Sequence, residues 1–298
     1  MKIGYSIPSN QGVEDPAALV QLAVLAEKLG CNSVWASEHL FHSSYIADRL
    51  GDLPYWEPLT ILTAVASATS KVRLCTSVLV LPWHDPPRLG KVIATLDHLS
   101  GGRVDFGVGV ATTKDEFENL GVDFKTRGKR ANEMLGALQA LWTESVPKFD
   151  GEFYQYEGLK FSPKPLQKPY PPILVGGSSP AAMRRIVQYG DGWHTLRQSP
   201  DEVAGGLETL SAMMKQGGRD PVVLKVSISS ALQFDDAAND RPAGERRSLR
   251  GTEEDIAAAL QAYAAAGVQE VVVSIASTDP AFHEAQLTRL MTQVIPNI

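Results

Sequence analysis

Cysteine is scarce in this chain: Cys31 and Cys75 are the only two among 298 residues. That excludes a fold held by a framework of disulfides. Each cysteine sits beside an apolar run, where a buried free thiol is the expected state, and such use fits a reducing compartment. Clustered positive charge is scarce as well. The net charge is −6, and only the short run GERRSLR at 244–250 stands out. A protein that follows a phosphate backbone needs a cationic face, so no nucleic-acid partner is expected. No segment approaches the roughly 20 apolar residues of a membrane span. The opening residues MKIGYSIPSN carry one lysine and no long apolar stretch, so they do not read as a signal peptide. The expectation is a cytoplasmic protein with no membrane contact. What the chain does have is core: 44% of its residues are hydrophobic, enough at this length to bury an interior without staples.

Strand-like and helix-like segments alternate along the whole chain. KIGYSI (2–7), SVWAS (33–37), VRLCTSVLVL (72–81), VDFGVGV (104–110), ILVGG (173–177), DGWHTL (191–196), VLKVSISS (223–230) and EVVVSIA (270–276) read as strands. Helical patterns follow each, over 15–30, 57–70, 86–102, 125–143, 179–190, 200–216, 252–267 and 279–294. Asp15 before Pro16 is a typical helix start, and Gly30 a typical stop. Eight strand–helix pairs imply a parallel sheet with right-handed crossovers, and at this length an α/β (β/α)8 TIM barrel forming one domain over 1–298. An open doubly wound sheet is the alternative. It usually carries GxGxxG after the first strand, where this chain has PSNQG. Two insertions break the rhythm. Residues 146–172 read as a β-hairpin turning at Asp150-Gly151 and then a proline-rich ramp. Residues 233–251 read as a long polar loop.

In such a barrel the active site lies at the C-terminal ends of the strands. The residues there include Ser6 and Pro8, Glu38 and His39, Ser77 to Val80 with Trp83 and His84, Gly107 to Thr113, Gly176 to Ser179, Trp193 to Thr195, and Ser229. His39, His84 and His194 lack any further ligand spacing, so no metal is expected. GGSSP is not the G-x-S-x-G of a serine hydrolase. Paired carboxylates for glycoside hydrolysis would have to be Glu38 with Asp115 or Glu116, a weak pattern. The run ILVGGSSPAAMRR says more. A strand enters two glycines and two serines, then a helix with Pro180 at its start, and free N–H groups at a helix N-terminus hold phosphate. The bland alternative is a tight turn with a serine cap. FGVGV at 106–110 is a place for a flat ring against backbone, or simply close strand packing.

These stretches together resemble the luciferase-like monooxygenase superfamily. DPAALVQLAVLAEKLGCNSVWASEHLF, ATLDHLSGGRVDFGVGV and GGSSPAAMRRIVQYGDGW carry the likeness, in order, through roughly the first 200 residues. The resemblance implies a barrel that binds the deazaflavin F420, or alternatively FMN, across its strand ends. It implies that Glu38 and His39 lie at the redox ring, with His39 moving a proton, and that a non-proline cis peptide at Ser77-Val78 forms a bulge behind the ring. By position, Ser6, Val80, Val110 and Ala111 join the cofactor site, and the cofactor phosphate falls on Gly176, Gly177, Ser178 and Ser179. A homodimer is also the family's habit.

Some residues depart from the pattern. Many members read G-V-G-x-G after the fourth strand, where this chain has Ala111. Thr112 replaces the glutamate of sugar-phosphate dehydrogenases. His39-Leu40 replaces the paired histidines of strict luciferases and points to the deazaflavin branch. The leading expectation is an F420-dependent oxidoreductase that moves a hydride between the cofactor and a small organic substrate. Glu38 would orient the His39 ring or bond the cofactor, and Trp56, Trp83, Phe117 and Trp193 are candidates for an apolar pocket. The alternatives are an FMN-dependent monooxygenase fed by a separate reductase, with 233–251 as a lid, and a non-catalytic flavin or deazaflavin carrier.

Overall fold

A computed structural model of the chain describes residues 1–221, 224–235, 239 and 241–298. Eight parallel strands close into a barrel: β1 (Lys2–Ser6), β2 (Ser33–Ala36), β3 (Arg73–Thr76), β4 (Val104–Gly109), β5 (Ile173–Gly176), β6 (Gly192–Leu196), β7 (Lys225–Phe234) and β8 (Glu270–Ser274). Closure follows from β7 pairing with both β6 and β8, and β1 with both β8 and β2. The outer helices are α1 (Pro16–Lys28), α2 (Pro58–Ala68), α3 (Pro86–Leu99), α4 (Arg127–Thr143), α5 (Pro180–Tyr189), α6 (Pro200–Gln216), α7 (Glu253–Ala265) and α8 (Pro280–Arg289). Proline opens every one of these except α4 and α7. In each of those six starts an Asp, Glu or Ser cap accepts a backbone N–H, as Asp85 does from Arg88 and Ser179 from Ala182. The fixed proline φ and the capping acceptor both favour a helix start where a first-turn N–H has no partner.

The main apolar core lies between the strands and the helix ring. Trp35, Cys75, Leu174 and Val272 form a separate cluster, the filling of the barrel itself. Cys31 and Cys75 are free and buried, and burial pushes the Cys31 thiol up to about 12.

The structure revises several boundaries. The stretch 72–81 is not one strand. It breaks after Thr76 at a cis Ser77-Val78 peptide and resumes as a two-residue strand, Leu79–Val80, alongside β4. An apolar β-prone run looks continuous in sequence, because side-chain pattern does not report peptide geometry. The glycines of β4 show what the break requires. A Cβ on Gly107 would lie 1.7 Å from the Thr76 carbonyl oxygen, and one on Gly109 would lie 2.5 Å from Val78. Close strand packing, not a ring, therefore occupies these two positions. The hairpin forms between Phe149–Asp150 and Tyr156–Gln155, with Asp150 inside the strand and Gly151 to Tyr154 as the connection, so the turn is not at Asp150-Gly151. Strand β7 runs four residues past its expected end at 230. Within 233–251 a short strand, Leu249–Gly251, pairs with it, and Arg246 donates to Asp255 in α7. Two short helices, Ser44–Leu50 and Lys114–Asn119, stand in segments to which the sequence pattern assigns no element.

Candidate active site

Strand β2 ends at Ala36, so Glu38 and His39 lie in the loop beyond it and diverge. His39 Nδ1 is 2.6 Å from Oε2 of Glu116, in the short helix after β4. Glu116 is fully buried. Its Oε1 accepts the N–H groups of Leu40 (3.0 Å) and Phe41 (3.2 Å), and its Oε2 accepts the Thr113 hydroxyl (2.8 Å). Burial works against ionisation, but the bonds from His39 and Thr113 and the charge of His39 outweigh it and hold the carboxyl below its ordinary range. An ionised carboxylate only accepts, so the proton between these groups sits on His39 Nδ1. The other ring nitrogen, Nε2, lies 3.0 Å from the Tyr45 hydroxyl. Tyr45, Tyr55 and Trp83 meet the imidazole edge to face, with centroids 5.9, 5.5 and 6.1 Å away.

Glu38 faces elsewhere. It is buried, its Oε2 accepts the Val80 N–H at 2.7 Å, and His84 Nε2 lies 2.9 Å from Oε1. Burial pulls the His84 imidazole down, but the bond and charge of Glu38 overcome this and raise it above its ordinary value. The expectation that Glu38 orients the His39 ring is therefore corrected. Glu116 does that, while Glu38 clamps the segment just after the cis bond. As a cofactor ligand, Glu38 has both oxygens already engaged.

The bulge is anchored from within. Ser77 Oγ lies 2.8 Å from His194 Nε2, and His194 Nδ1 lies 2.8 Å from Ser227 Oγ. The His194 ring stacks on Trp35 at 4.4 Å, and burial drives its pKa down to about 3, so it is neutral. Val78 projects into space kept open by Gly109 and Gly176. Val80 is buried, and Ser6 and Val110 are half-buried. Ala111 adopts φ 49° and Arg197, after β6, φ 56°. These are the left-handed values that L-residues avoid and that cluster at functional sites. Ala111 thus takes the conformation that glycine holds more easily.

At the end of β5, Gly177 has φ +98°. Its N–H bonds the His194 carbonyl, and its carbonyl accepts the Trp193 indole N–H at 2.8 Å. Ser179 Oγ caps α5 through the Ala182 N–H. Among the described residues, the N–H groups of Ser178 and Ser179 have no protein acceptor. Two free donors beside a left-handed glycine, at the start of a ten-residue helix, suit an anion. A groove of about 390 Å³ opens next to Ser178, and Arg184, Gln198 and Thr209 also line it.

Of the aromatic candidates, Trp83 lies at the His39 ring. Trp56 is partly buried in the core, and Trp193 and Phe117 are fully buried. His39, His84 and His194 have separate partners, and no metal-binding group of three side chains occurs among the described residues. Sequence reasoning missed Tyr45 and Glu116 as partners of His39. Glu116 was in view only as half of a carboxylate pair, and both those carboxylates are tied to imidazoles. Thr113 and the acids Asp115 and Glu116 within KDEF were the available signal for a buried acceptor after β4.

The closed parallel barrel thus gathers an imidazole, a carboxylate and aromatic rings at its strand ends, with two free N–H groups in the loop after β5. A family model described as luciferase-like monooxygenase matches residues 1–242, and the chain belongs to that family. It is 35% identical over 224 residues to an uncharacterized protein of Mycobacterium tuberculosis, covering 71% of this chain and 77% of that one. It is 30% identical over 213 residues to an FMNH2-dependent dimethylsulfone monooxygenase of Pseudomonas putida, covering 70% and 56%. In fold it is similar to an F420-dependent secondary alcohol dehydrogenase in complex with an F420-acetone adduct, with a TM-score of 0.82, 18% identity, and 99% and 98% of the two chains covered. No helix among the described residues is long and apolar enough to cross a membrane.

Proposed function

We propose that this protein is an F420-dependent oxidoreductase that transfers a hydride between the deazaflavin and a small organic substrate. One observation carries the reading: His39 stands at the strand ends with Nδ1 2.6 Å from the buried Glu116 carboxylate and with three aromatic side chains around the ring. Hydride transfer needs a proton moved at the neighbouring atom, and a positioned imidazole does this near neutral pH. The cofactor supplies the hydride chemistry. Its phosphate suits the unpaired N–H groups of Ser178 and Ser179, next to Gly177. Its ring would rest on a wall of Ser6, Ser77, Val78, Val80, Val110, Ala111 and Gly176, with Ser77 bonded to His194 and Val80 to Glu38.

The second reading is an FMN-dependent monooxygenase supplied by a separate reductase, and the Pseudomonas putida relative favours it. Such chemistry needs water kept out of the site. The described part of 233–251 is bonded to α6 and α7, through Arg247 to Glu202 and Arg246 to Asp255. Under either reading a homodimer and a cytoplasmic location are the proposed setting.

Fluorescence titration of the cofactor-free protein with F420 and with FMN separates the two. Tight F420 binding that Gly177→Asp abolishes supports the proposal and the anion loop together. FMN binding without F420 binding moves the protein to the monooxygenase reading.

A further inference from the structure

We propose that the hydroxyl of Tyr45, rather than a nitrogen of His39, exchanges the proton with the substrate, and that His39 and Glu116 form the relay behind it. This rests on the reading of the site as one for hydride transfer.

Both ring nitrogens of His39 are occupied. His39 Nδ1 is committed to Glu116 at 2.6 Å, and Nε2 has Tyr45 Oη at 3.0 Å. Neither nitrogen is free to meet a substrate. In the neutral ring Nε2 is an acceptor, so the phenol donates to it. The imidazole is largely enclosed, with its side chain 17% exposed, whereas Tyr45 is 51% exposed. The phenol is therefore the solvent-exposed end of this chain of hydrogen bonds. Carboxylate, imidazole and hydroxyl in sequence is the arrangement that activates a hydroxyl in covalent catalysis. Here it serves proton transfer.

The charges around the phenol agree with this role. Burial raises its pKa, so it rests protonated, while Arg49 and Arg197 act the other way and Glu116 adds to the rise. Those two guanidinium groups would stabilise a transient phenolate, and the Tyr55 hydroxyl also acts on it, beside His39 itself. Arg49 is fixed by the Asn10 carbonyl (2.7 Å) and Gln11 Oε1 (3.0 Å). Arg197 is held in its left-handed conformation after β6.

The step balances in either direction. In oxidation of an alcohol, the substrate O–H bond breaks and its proton passes to Tyr45 Oη. The phenol's own proton passes to His39 Nε2. The adjacent carbon would give up its hydride to a bound oxidised deazaflavin as the C=O bond forms. The imidazolium is held by Glu116 until solvent takes the proton. Reduction runs the same transfers backward.

The test uses the full chain without cofactor, labelled with carbon-13 at tyrosine Cζ, and follows Tyr45 by NMR across the imidazole and phenol titrations. Tyr45→Phe assigns the resonance. A relay predicts that the Tyr45 curve carries an inflection in step with His39, and that His39→Gln removes it. If His39→Gln does not fold, Glu116→Gln is read instead and is expected to displace the same inflection. A Tyr45 curve with no such inflection, or one unchanged by the substitution, overturns the proposal. F420 affinity on the same samples is expected to stay within about twofold of wild type in Tyr45→Phe. Failure of wild type to bind F420 would sink the hydride-transfer reading, and with it the catalytic step assigned to Tyr45, whatever the NMR coupling shows.

Discussion

Glu38 and His39 are neighbours in sequence, yet each belongs to a different histidine–carboxylate pair, and the two pairs are put to different use. Glu38 spends its carboxylate on His84 and the Val80 N–H, so it ties the loop after β2 to the segment after the cis bond. Glu116 spends its carboxylate on His39 and on the loop that carries it, and the imidazole keeps a second nitrogen that reaches outward through Tyr45. Both carboxylates are buried. Only the second pair ends at an exposed hydroxyl. The lesson is that burial and charge pairing do not by themselves mark chemistry. What marks it is a chain of hydrogen bonds that ends in the open.

Three measurements bear on this contrast, and a fourth on the backbone beside it. The largest effect is expected for His39→Ala, which should slow hydride transfer about 10²- to 10⁴-fold while leaving F420 affinity within a few fold. In stopped-flow records His84→Gln should lose less than tenfold, and equal losses in the two variants would erase the distinction. Glu38→Ala is the converse case. It leaves the Val80 N–H and the His84 imidazole without their acceptor, so urea unfolding should show a loss of about 3 kcal/mol. A fully stable Glu38→Ala protein would count against the clamp.

The pairs should also differ in their response to pH. His84 titrates above its ordinary value in the folded protein. Its contribution is therefore complete below about 6.5, the unfolded value, and fades as pH rises through the higher folded value. Glu116 is lowered. Its contribution is present above the ordinary 4.5 and fades as pH falls through the lower folded value. Unfolding midpoints across pH should lose the alkaline decline in His84→Gln and keep the acid one. The smallest effect is expected for Ala111→Gly, which relieves a left-handed backbone and should add about 1 kcal/mol of stability. A loss of stability there would mean that the alanine methyl packs to better purpose than the strain it causes.

Much of the fold was legible because its punctuation is chemical. Asp85 before Pro86, or Ser199 before Pro200, can hardly mean anything but a helix start, and Gly30 follows α1 as a left-handed stop. The break at Ser77-Val78 left no trace in hydrophobicity and came only through family resemblance. The short helix Ser44–Leu50 was invisible because SSYIADRL has too few apolar residues to show a period, and Tyr45 was lost with it. Glu38 and His39 were found by their place after β2. Their adjacency then suggested the wrong partnership, since the acceptor for His39 comes 77 residues later, from a helix of six residues. Long-range pairs of this kind are set by the order of strands in the sheet, where β3 alone separates β2 from β4 and the loops after them meet. Local sequence does not contain them.

The central claim is that Glu116, not Glu38, governs His39. Two-bond nitrogen-15 correlation spectra of the histidine rings test it directly, in wild type, Glu116→Gln and Glu38→Gln. The account predicts that the neutral His39 ring carries its proton on Nδ1 in wild type. It predicts that Glu38→Gln preserves this pattern while perturbing His84, and that Glu116→Gln loses it. A His39 tautomer that survives Glu116→Gln and changes in Glu38→Gln would contradict the account.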